Sequence, residues 1–423
     1  MSPKILFKSE FLGYSLLIIS LICGIRPLNS MAIAWLMLTA ILMRTTGIID
    51  KVSRKPAVYF IYSCFLFYLL NIASLFYTSD IAETIKHLQI KSSLVFIPLF
   101  LLLHFPDRLL FERLKNVFVF SLLIAVIFCL ISAGFRFFTN SGDTSVFFYH
   151  SLVKPFKQHA VQFSLLVFFA LTEIVVKLFR KDYFANALID IAIAVVFSIF
   201  LFLLSSKLII TLFVMFIFCF LIKAVSNRKF LAILITIVLL LIAGIYATKN
   251  PVSNRFAEIV QSDFNLISQP GFNQGTYFNG LQFRLLQWKN VTELLQENNA
   301  FVFGLSPGDA QDSLNRKYIS KDMYFGTPER KERGFIGYNA HNEFLESSLQ
   351  LGLVGLSAFI MMIIGLIRIA IKAASIQLSF IVGALAAFCL TESVLETQYG
   401  LVILTFFPIF FYLGTRQAKA KEI

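Results

Sequence analysis

Charged residues are scarce in this chain of 423 amino acids, where Asp, Glu, Lys and Arg together make up 14%. A soluble domain has about 25%. Hydrophobic residues make up 58%, and apolar runs long enough to cross a bilayer recur along the whole length. This composition excludes a soluble globular protein and indicates a polytopic helical membrane protein. Alternating short strands, the mark of a membrane β-barrel, are missing.

Cysteine is scarce too, and all five cysteines fall inside apolar runs, at Cys23, Cys64, Cys129, Cys219 and Cys389. There they are expected to be small lipid- or core-facing residues, not disulfide partners or metal ligands. The sequence has no metal-binding constellation of His and carboxylates and no phosphate-binding glycine loop of the Walker type. It therefore predicts no metal and no other cofactor. No cleavable signal peptide is evident, and the first apolar run is expected to be an uncleaved anchor.

The apolar runs predict an all-α fold of about twelve transmembrane helices. These spans are expected near residues 9–25, 29–45, 57–77, 91–105, 116–137, 159–179, 185–205, 207–223, 229–247, 348–368, 375–391 and 398–415.

The net charge of +13 is mostly a topology signal. If the N-terminus is cytoplasmic, every second connection between spans is rich in Lys and Arg, as the positive-inside rule requires. Binding to nucleic acid is therefore not expected. In this orientation the long polar segment 248–347 lies outside the cytoplasm. The chain then divides into helices 1–9 (residues 1–247), a large outer loop that is periplasmic in a Gram-negative cell (248–347), and helices 10–12 with a cytoplasmic tail (348–423).

The outer loop is not a low-complexity linker. Apolar residues recur at helical spacing between Phe278 and Leu295, and a second short helix is expected from Asp309 to Tyr318. A loop of this length with helices of its own is usually functional.

A histidine stands where this loop meets the tenth predicted span, in the stretch 338–344, YNAHNEF, which leads into 351–356, LGLVGL. Histidine exchanges a proton easily near neutral pH, so His341 could act on a substrate that is half lipid and half polar. The alternative is a helix cap, in which Asn339 or Asn342 does the capping and His341 is merely solvated.

These two stretches resemble the signature of the bacterial O-antigen ligase and polymerase superfamily. Its members are membrane glycosyltransferases that use lipid-linked glycans. The resemblance implies that His341 is the catalytic base, and it extends in motif over roughly residues 205–400.

The resemblance also implies cations that bind the diphosphate of the lipid carrier. Arg284, with Trp288 and the glycine-bearing turn at Gly304, is similar to the outer-loop pattern of the superfamily. Lys207 stands where the superfamily typically has arginine; lysine keeps the charge but loses the bidentate geometry. Arg255 resembles a further recurring element. The alternatives are a snorkelling arginine at 284 and an interfacial anchor at 255.

Several outer-face residues are possible accessory groups, namely His159, Asn342, Glu392 and Glu396. His159 looks like a histidine of related chains, although a polar residue at a helix start explains it equally well. Glu392 and Glu396 have the i,i+4 spacing that puts both on one helical face. They could orient a basic residue or bind a sugar, or they could be solvated acids of a turn.

The activity that the resemblance implies is glycan transfer from undecaprenyl diphosphate to an acceptor, without metal or nucleotide. The acceptor could be lipid A-core, as in O-antigen ligation during lipopolysaccharide biosynthesis. It could also be another lipid-linked repeat, as in a polymerase, or a protein, as in an O-oligosaccharyltransferase. The single large loop before the His341 motif favours the ligase. A polysaccharide transporter or flippase is the alternative of another class, but no paired inverted repeat supports it.

Overall fold

The structure is a computed structural model, and it describes residues 3–46, 55–104, 106–139, 142–247, 253–254, 257–258, 262–326 and 334–419. Within these residues the chain is mostly helical and contains no strand. The predicted all-α polytopic membrane fold is therefore confirmed.

The longer helices, in chain order, are α1 (Pro3–Cys23), α2 (Arg26–Thr45), α3 (Lys55–Ala73), α4 (Ile81–Lys91), α5 (Ser93–Leu103), α6 (Arg108–Thr139), α7 (Ala160–Arg180), α8 (Ala187–Leu203), α9 (Lys207–Ala224), α10 (Arg228–Ala247), α11 (Gly280–Glu297), α12 (Pro307–Ser320), α13 (Glu343–Ala373), α14 (Ile376–Cys389) and α15 (Gln398–Lys419).

A helix coincides with each of the twelve predicted spans. Among the described residues, eight helical segments are long and apolar enough to cross a membrane: α1, α2, α3, the consecutive pair α4 and α5, α6, α7, α9 and α13. The apolar helices α8, α14 and α15 are shorter in their described apolar parts, and α10 coincides with the ninth predicted span.

The fourth predicted span, 91–105, misses helix α4. The Asp80 side chain caps this helix by accepting a hydrogen bond of 2.8 Å from the Glu83 amide. Because α4 carries Glu83, Lys86 and Gln89, its hydropathy is too low to be recognised as part of a span. Helix α4 contacts α12 of the long polar segment, so it links the bundle to that segment.

Helices α7 and α15 form the centre of the bundle. Buried residues make up 83% of the apolar stretch of α7. Its Phe169 ring lies 5.4 Å from that of Phe407 on α15, and the Phe118 ring of α6 lies 5.2 Å from Phe407 on another side. The buried Glu173 of α7 is paired with Lys115 of α6 at 2.7 Å, as a buried charge requires.

The long polar segment has a hydrophobic core of its own beneath α11 and α12. Asn279 and Gln282 form a reciprocal capping box that begins α11. The predicted helix is confirmed, but its buried face is shifted: Leu281 and Leu285 are only partly buried, whereas Phe283 and Leu286 are buried. The core residues of this part are Phe278, Phe283, Leu286, Val291, Leu294, Leu295, Ala310, Leu314, Tyr318, Met323, Ala340 and Leu349.

Helix α13 is interrupted at Gly352, where the backbone adopts φ 64° and ψ −157°. At this break the chain pairs with residues 301–306. The Leu353 amide donates to the Phe301 carbonyl at 2.8 Å, and the Ser306 amide donates to the Gln350 carbonyl at 3.0 Å. These hydrogen bonds join the long polar segment to α13 at Gly352, and the residues of α13 from Glu343 to the break separate this junction from His341.

Candidate active site

At the start of α13, the residue that caps the helix is Asn342 and not the neighbouring His341. The Asn342 side chain caps the helix by accepting hydrogen bonds from the amides of Phe344 (2.9 Å) and Leu345 (3.3 Å). The His341 backbone has a left-handed φ of 47°, and its amide donates to the Asn339 side chain at 3.1 Å. Since Asn342 does the capping, the imidazole of His341 remains available for another role.

The His341 side chain is paired with Glu392. Its Nδ1 lies 3.2 Å from Oε2 of Glu392, and the histidine side chain is 19% exposed. The imidazole is therefore not merely solvated. With Nδ1 turned toward a carboxylate, Nε2 is the nitrogen left for a substrate.

The other oxygen of Glu392 is bound by Arg284. Its guanidinium donates to Oε1 of Glu392 at 2.8 Å and to the Thr391 carbonyl at 3.0 Å. A third bond of 3.1 Å runs to the Gly280 carbonyl within the same helix. Arg284 thus fixes the turn that carries Glu392, and its nitrogens already have protein partners.

Glu392 is held in its charged form. Burial acts to raise the pKa of this carboxyl, but the hydrogen bond and charge of His341 and the charges of His159 and Arg284 outweigh burial and lower the pKa to about 2. The carboxylate is therefore ionised at neutral pH, where it can orient the imidazole and stabilise its protonated form.

Two buried glutamates of α13 hold the Glu392 turn against the His341 turn. Glu343 accepts a hydrogen bond of 2.8 Å from the Leu395 amide. One oxygen of Glu346 accepts from the Ala340 amide at 2.9 Å and from the Ser393 hydroxyl at 3.3 Å. These bonds fix the residues on both sides of the His341–Glu392 pair.

The pair opens onto a cavity of about 410 Å³, called the His341 cavity here. It lies between the turns that join α1 to α2, α6 to α7, and α14 to α15. Its lining residues are Ser20, Leu21, Gly24, Ile25, Arg26, Asn29, His150, Lys157, Gln158, His159, Gln162, Tyr338, Asn339, His341, Glu392, Ser393, Thr397, Gln398 and Tyr399.

The structure brings His159 to the same cavity. Its ring lies 4.5 Å from the ring of His150, measured between centroids, and both histidines line the wall. His159 precedes the first residue of α7, and its side chain makes no capping bond to that helix. The predicted accessory residue therefore lies near Glu392, and its charge helps to lower the pKa of that carboxyl.

Two cations of the His341 cavity were missed as ligand candidates in the sequence. Arg26 and Lys157 are both exposed and line the cavity. Within the described ranges, neither forms an ion pair with a carboxylate. A hydrogen bond of 2.9 Å from the Gln158 amide group to the Leu21 carbonyl joins the two turns that carry them. The cavity therefore contains two cations besides its histidines and the Glu392 carboxylate.

The other predicted cations are not brought to this cavity. Lys207 lies 3.5 Å from Glu258, and it is not among the described residues that line the His341 cavity. The backbone carbonyl of Glu258 accepts a hydrogen bond of 3.3 Å from Asn279, which begins α11. Lys207 is thus connected to the start of the Arg284 helix through Glu258. Arg255 lies outside the described residues.

Glu396 faces away from His341. Its carboxylate lies 3.1 Å from Nζ of Lys91 and 3.1 Å from Nδ1 of His87. The buried Lys91 also donates to the side chains of Asn71 (3.2 Å) and Gln350 (2.5 Å). Glu392 and Glu396 therefore belong to two different polar clusters on the two sides of one turn.

The fold and this site define a multi-pass membrane protein whose imidazole–carboxylate pair opens onto a cation-lined cavity. Residues 192–360, less than half of the chain, match the family described as O-antigen ligase. This match confirms the resemblance to the O-antigen ligase superfamily. It supports, at this coarse level, a membrane glycosyltransferase of the ligase or polymerase type that uses lipid-linked glycans. The curated proteins gave no match to this chain.

The matched segment contains Lys207, Arg284 and His341. Glu392, His159 and the cavity wall formed by Arg26 and Lys157 lie outside it. The His341 cavity is therefore built from residues of the matched segment and from residues that precede it or follow it in the sequence.

Proposed function

We propose that this protein transfers a glycan from undecaprenyl diphosphate to a hydroxyl group of an acceptor at the outer, periplasmic face of the bacterial inner membrane. The observation that carries the proposal is the His341–Glu392 pair, 3.2 Å apart, on the wall of the cation-lined cavity. An imidazole oriented by a carboxylate is suited to remove a proton from a hydroxyl nucleophile.

In the proposed reaction, Nε2 of His341 takes the proton of the acceptor hydroxyl. The acceptor oxygen forms a bond to the anomeric carbon of the glycan while the bond from that carbon to the diphosphate oxygen breaks. Undecaprenyl diphosphate leaves with the bonding electrons, and attack from the opposite side inverts the anomeric configuration. Glu392 stabilises the imidazolium that forms.

The departing diphosphate gains negative charge, which cations stabilise in the transition state. Arg26 and Lys157 line the cavity and are suited to this task. Arg284, Lys207 and Arg255 remain the diphosphate ligands that the resemblance implies. In the described geometry Arg284 binds Glu392, so its contribution would pass through the orientation of His341. Because cations can take the developing charge, the proposed reaction requires no metal ion.

Among acceptors, lipid A-core is the one we propose, which makes the reaction an O-antigen ligation in lipopolysaccharide biosynthesis. The long polar segment places α11 and α12 beside the His341 turn, and one large outer loop before this motif favours a ligase. A lipid-linked repeat or a protein hydroxyl would make the enzyme a polymerase or an O-oligosaccharyltransferase instead.

The test is transfer by the purified protein from undecaprenyl-diphosphate-linked glycan, with lipid A-core, a second lipid-linked repeat and a protein offered in separate reactions. We expect product with lipid A-core only, in the absence of ATP and in the presence of EDTA. Product with another acceptor would change the class of enzyme. Loss of activity in EDTA that one divalent ion restores would contradict a metal-independent reaction.

The proposed orientation predicts that Ser320, an exposed residue at the end of α12, lies outside the cytoplasm. A membrane-impermeant maleimide added to the outer face should label Ser320→Cys, while Lys181→Cys, at the end of α7, should react only after permeabilisation. The unsubstituted chain controls for the native cysteines. Labelling of the two positions in the reverse order would overturn the orientation and the periplasmic site.

If Lys207 binds the diphosphate of the donor, donor binding should require a positive charge at position 207. We expect Lys207→Arg to keep donor binding, because arginine also offers the bidentate geometry for phosphate, and Lys207→Ala to weaken it. Lys86→Ala, which removes an exposed lysine of α4, serves as the matched control. Equal donor affinity of Lys207→Ala and the unsubstituted protein would remove Lys207 from the donor site.

A further inference from the structure

A second cavity lies on the other side of the turn that carries Glu392. This Glu396 cavity has a volume of about 280 Å³ and shares the residues Arg26, Thr397 and Gln398 with the His341 cavity. The two cavities therefore meet along one edge. The lining residues of the Glu396 cavity are Arg26, Ser30, Gln89, Ile90, Glu396, Thr397 and Gln398.

The Glu396 carboxylate is a fixed hydrogen-bond acceptor in this cavity. Burial acts to raise its pKa, but the charge of Lys91 and the hydrogen bond and charge of His87 outweigh burial and hold the pKa of Glu396 well below its usual range. Each carboxylate oxygen can accept more than one hydrogen bond. Oε1, which faces Lys91, is buried, so the oxygen that can accept a further bond from a ligand is Oε2, which also contacts His87.

The rest of the lining supplies neutral donors and acceptors. Gln89 is exposed, and its side chain makes no hydrogen bond to another described residue. The Gln398 amide donates to the Ser30 hydroxyl at 2.7 Å, which holds the amide at the shared edge. Amides, hydroxyls and a carboxylate are groups that can pair with sugar hydroxyls, because each hydroxyl both donates and accepts.

The two cavities differ in charge. The His341 cavity carries the cations Arg26 and Lys157, together with His150 and His159, against one carboxylate, that of Glu392. The Glu396 cavity carries one cation, Arg26, against one carboxylate, that of Glu396. The excess of cations in the His341 cavity favours the diphosphate of the donor, whereas the balanced charge of the Glu396 cavity suits a neutral glycan.

We propose that the Glu396 cavity is the acceptor subsite, where sugar hydroxyls of the acceptor glycan bind to Glu396, Gln89 and Gln398. The acceptor then reaches His341 across the edge that the two cavities share. The volume of about 280 Å³ lies just below the range of about 300–1,000 Å³ typical of small-molecule sites, so it suits a short part of a longer glycan. This inference rests on the proposed function, because it assumes that a glycan acceptor approaches His341.

The test uses Gln89→Ala and Gln398→Ala in the full-length protein, with lipid A-core that lacks O-antigen as the acceptor probe. Loss of one neutral hydrogen bond should raise the KM for this acceptor by about 3- to 10-fold in both variants. In Gln89→Ala, whose residue lines only the Glu396 cavity, the KM for the lipid-linked donor and the kcat should stay within about twofold. Gln296→Ala is the matched control, since Gln296 is an exposed glutamine of α11 that lines neither cavity.

Direct binding of the same lipid A-core to protein in nanodiscs separates this inference from the proposed function. If the unsubstituted protein transfers glycan but both variants keep its acceptor KM, the subsite is wrong and the proposed function stands. If the unsubstituted protein transfers nothing, the proposed function fails. Weaker lipid A-core binding by both variants, with normal binding by Gln296→Ala, would still support the subsite.

Discussion

Replacing His341 by alanine is expected to reduce the rate of glycan transfer by about 10²- to 10⁴-fold, the usual contribution of a general base. The variant should still fold and bind the lipid-linked donor. The structure supports this separation, because Asn342 and not His341 caps α13. Donor binding, thermal stability and transfer should be measured on one preparation.

His341→Gln is the matched variant. Glutamine can keep a hydrogen bond to Glu392, but it cannot accept a proton as imidazole does. If His341 is the base, both variants are inactive. Substantial transfer by the glutamine variant alone would make His341 a positioning residue, and normal turnover of the alanine variant would remove the base assignment.

The apolar runs predicted the membrane bundle correctly, because both the lipid-facing and the buried sides of a membrane-spanning helix consist of apolar residues. Helix α4 was missed for the opposite reason. It is polar enough to contact α12, and only the structure shows that it continues into the apolar α5. The Asp80 cap is a local signal for the start of α4. The contact of α4 with α12, more than 200 residues away in the sequence, has no such local signal.

The candidate site shows the same division. His341 and Arg284 stood out through local motifs, and the i,i+4 spacing drew attention to Glu392 and Glu396. The spacing favoured one shared face, but a turn separates the two carboxylates, and they bind different partners. The pairing of each basic side chain with a carboxylate depends on contacts between residues far apart in the sequence, such as Arg284 with Glu392.

The position of Arg26 in the sequence is itself a signal of a functional role. It lies in a short connection on the predicted outer face, where the positive-inside rule disfavours basic residues. A cation that opposes this rule requires another explanation, and the structure offers one, because Arg26 stands at the edge shared by the two cavities. Exceptions to a topology rule are therefore useful candidates for ligand contacts.

Gly352→Ala is expected to lower the free energy of unfolding by about 3 kcal/mol or more. The backbone angles at Gly352 belong to a region that is essentially restricted to glycine, and forcing another residue into it costs on the order of 1–3 kcal/mol. In addition, a Cβ at this position would lie 2.2 Å from the Val302 carbonyl oxygen, so residues 301–306 would have to move away from α13.

Transfer should fall together with stability in Gly352→Ala, because the break lies between two parts of the site. Gln350, two residues before it, bonds both Glu346 and Lys91, and these residues hold the turn between Glu392 and Glu396. Val302→Ala should have a small effect, since the contact with Gly352 is made by the Val302 backbone.

Gly383→Ala is the matched control for the added methyl group. A Cβ at Gly383 meets nothing within 4 Å, and alanine is favoured over glycine inside a helix by roughly 0.5–1 kcal/mol. The Tm of this control should stay the same or rise slightly, while the Tm and the transfer rate of Gly352→Ala should both drop. If the two alanine variants had the same Tm and full activity, the break at Gly352 would have no part in holding the long polar segment or the site.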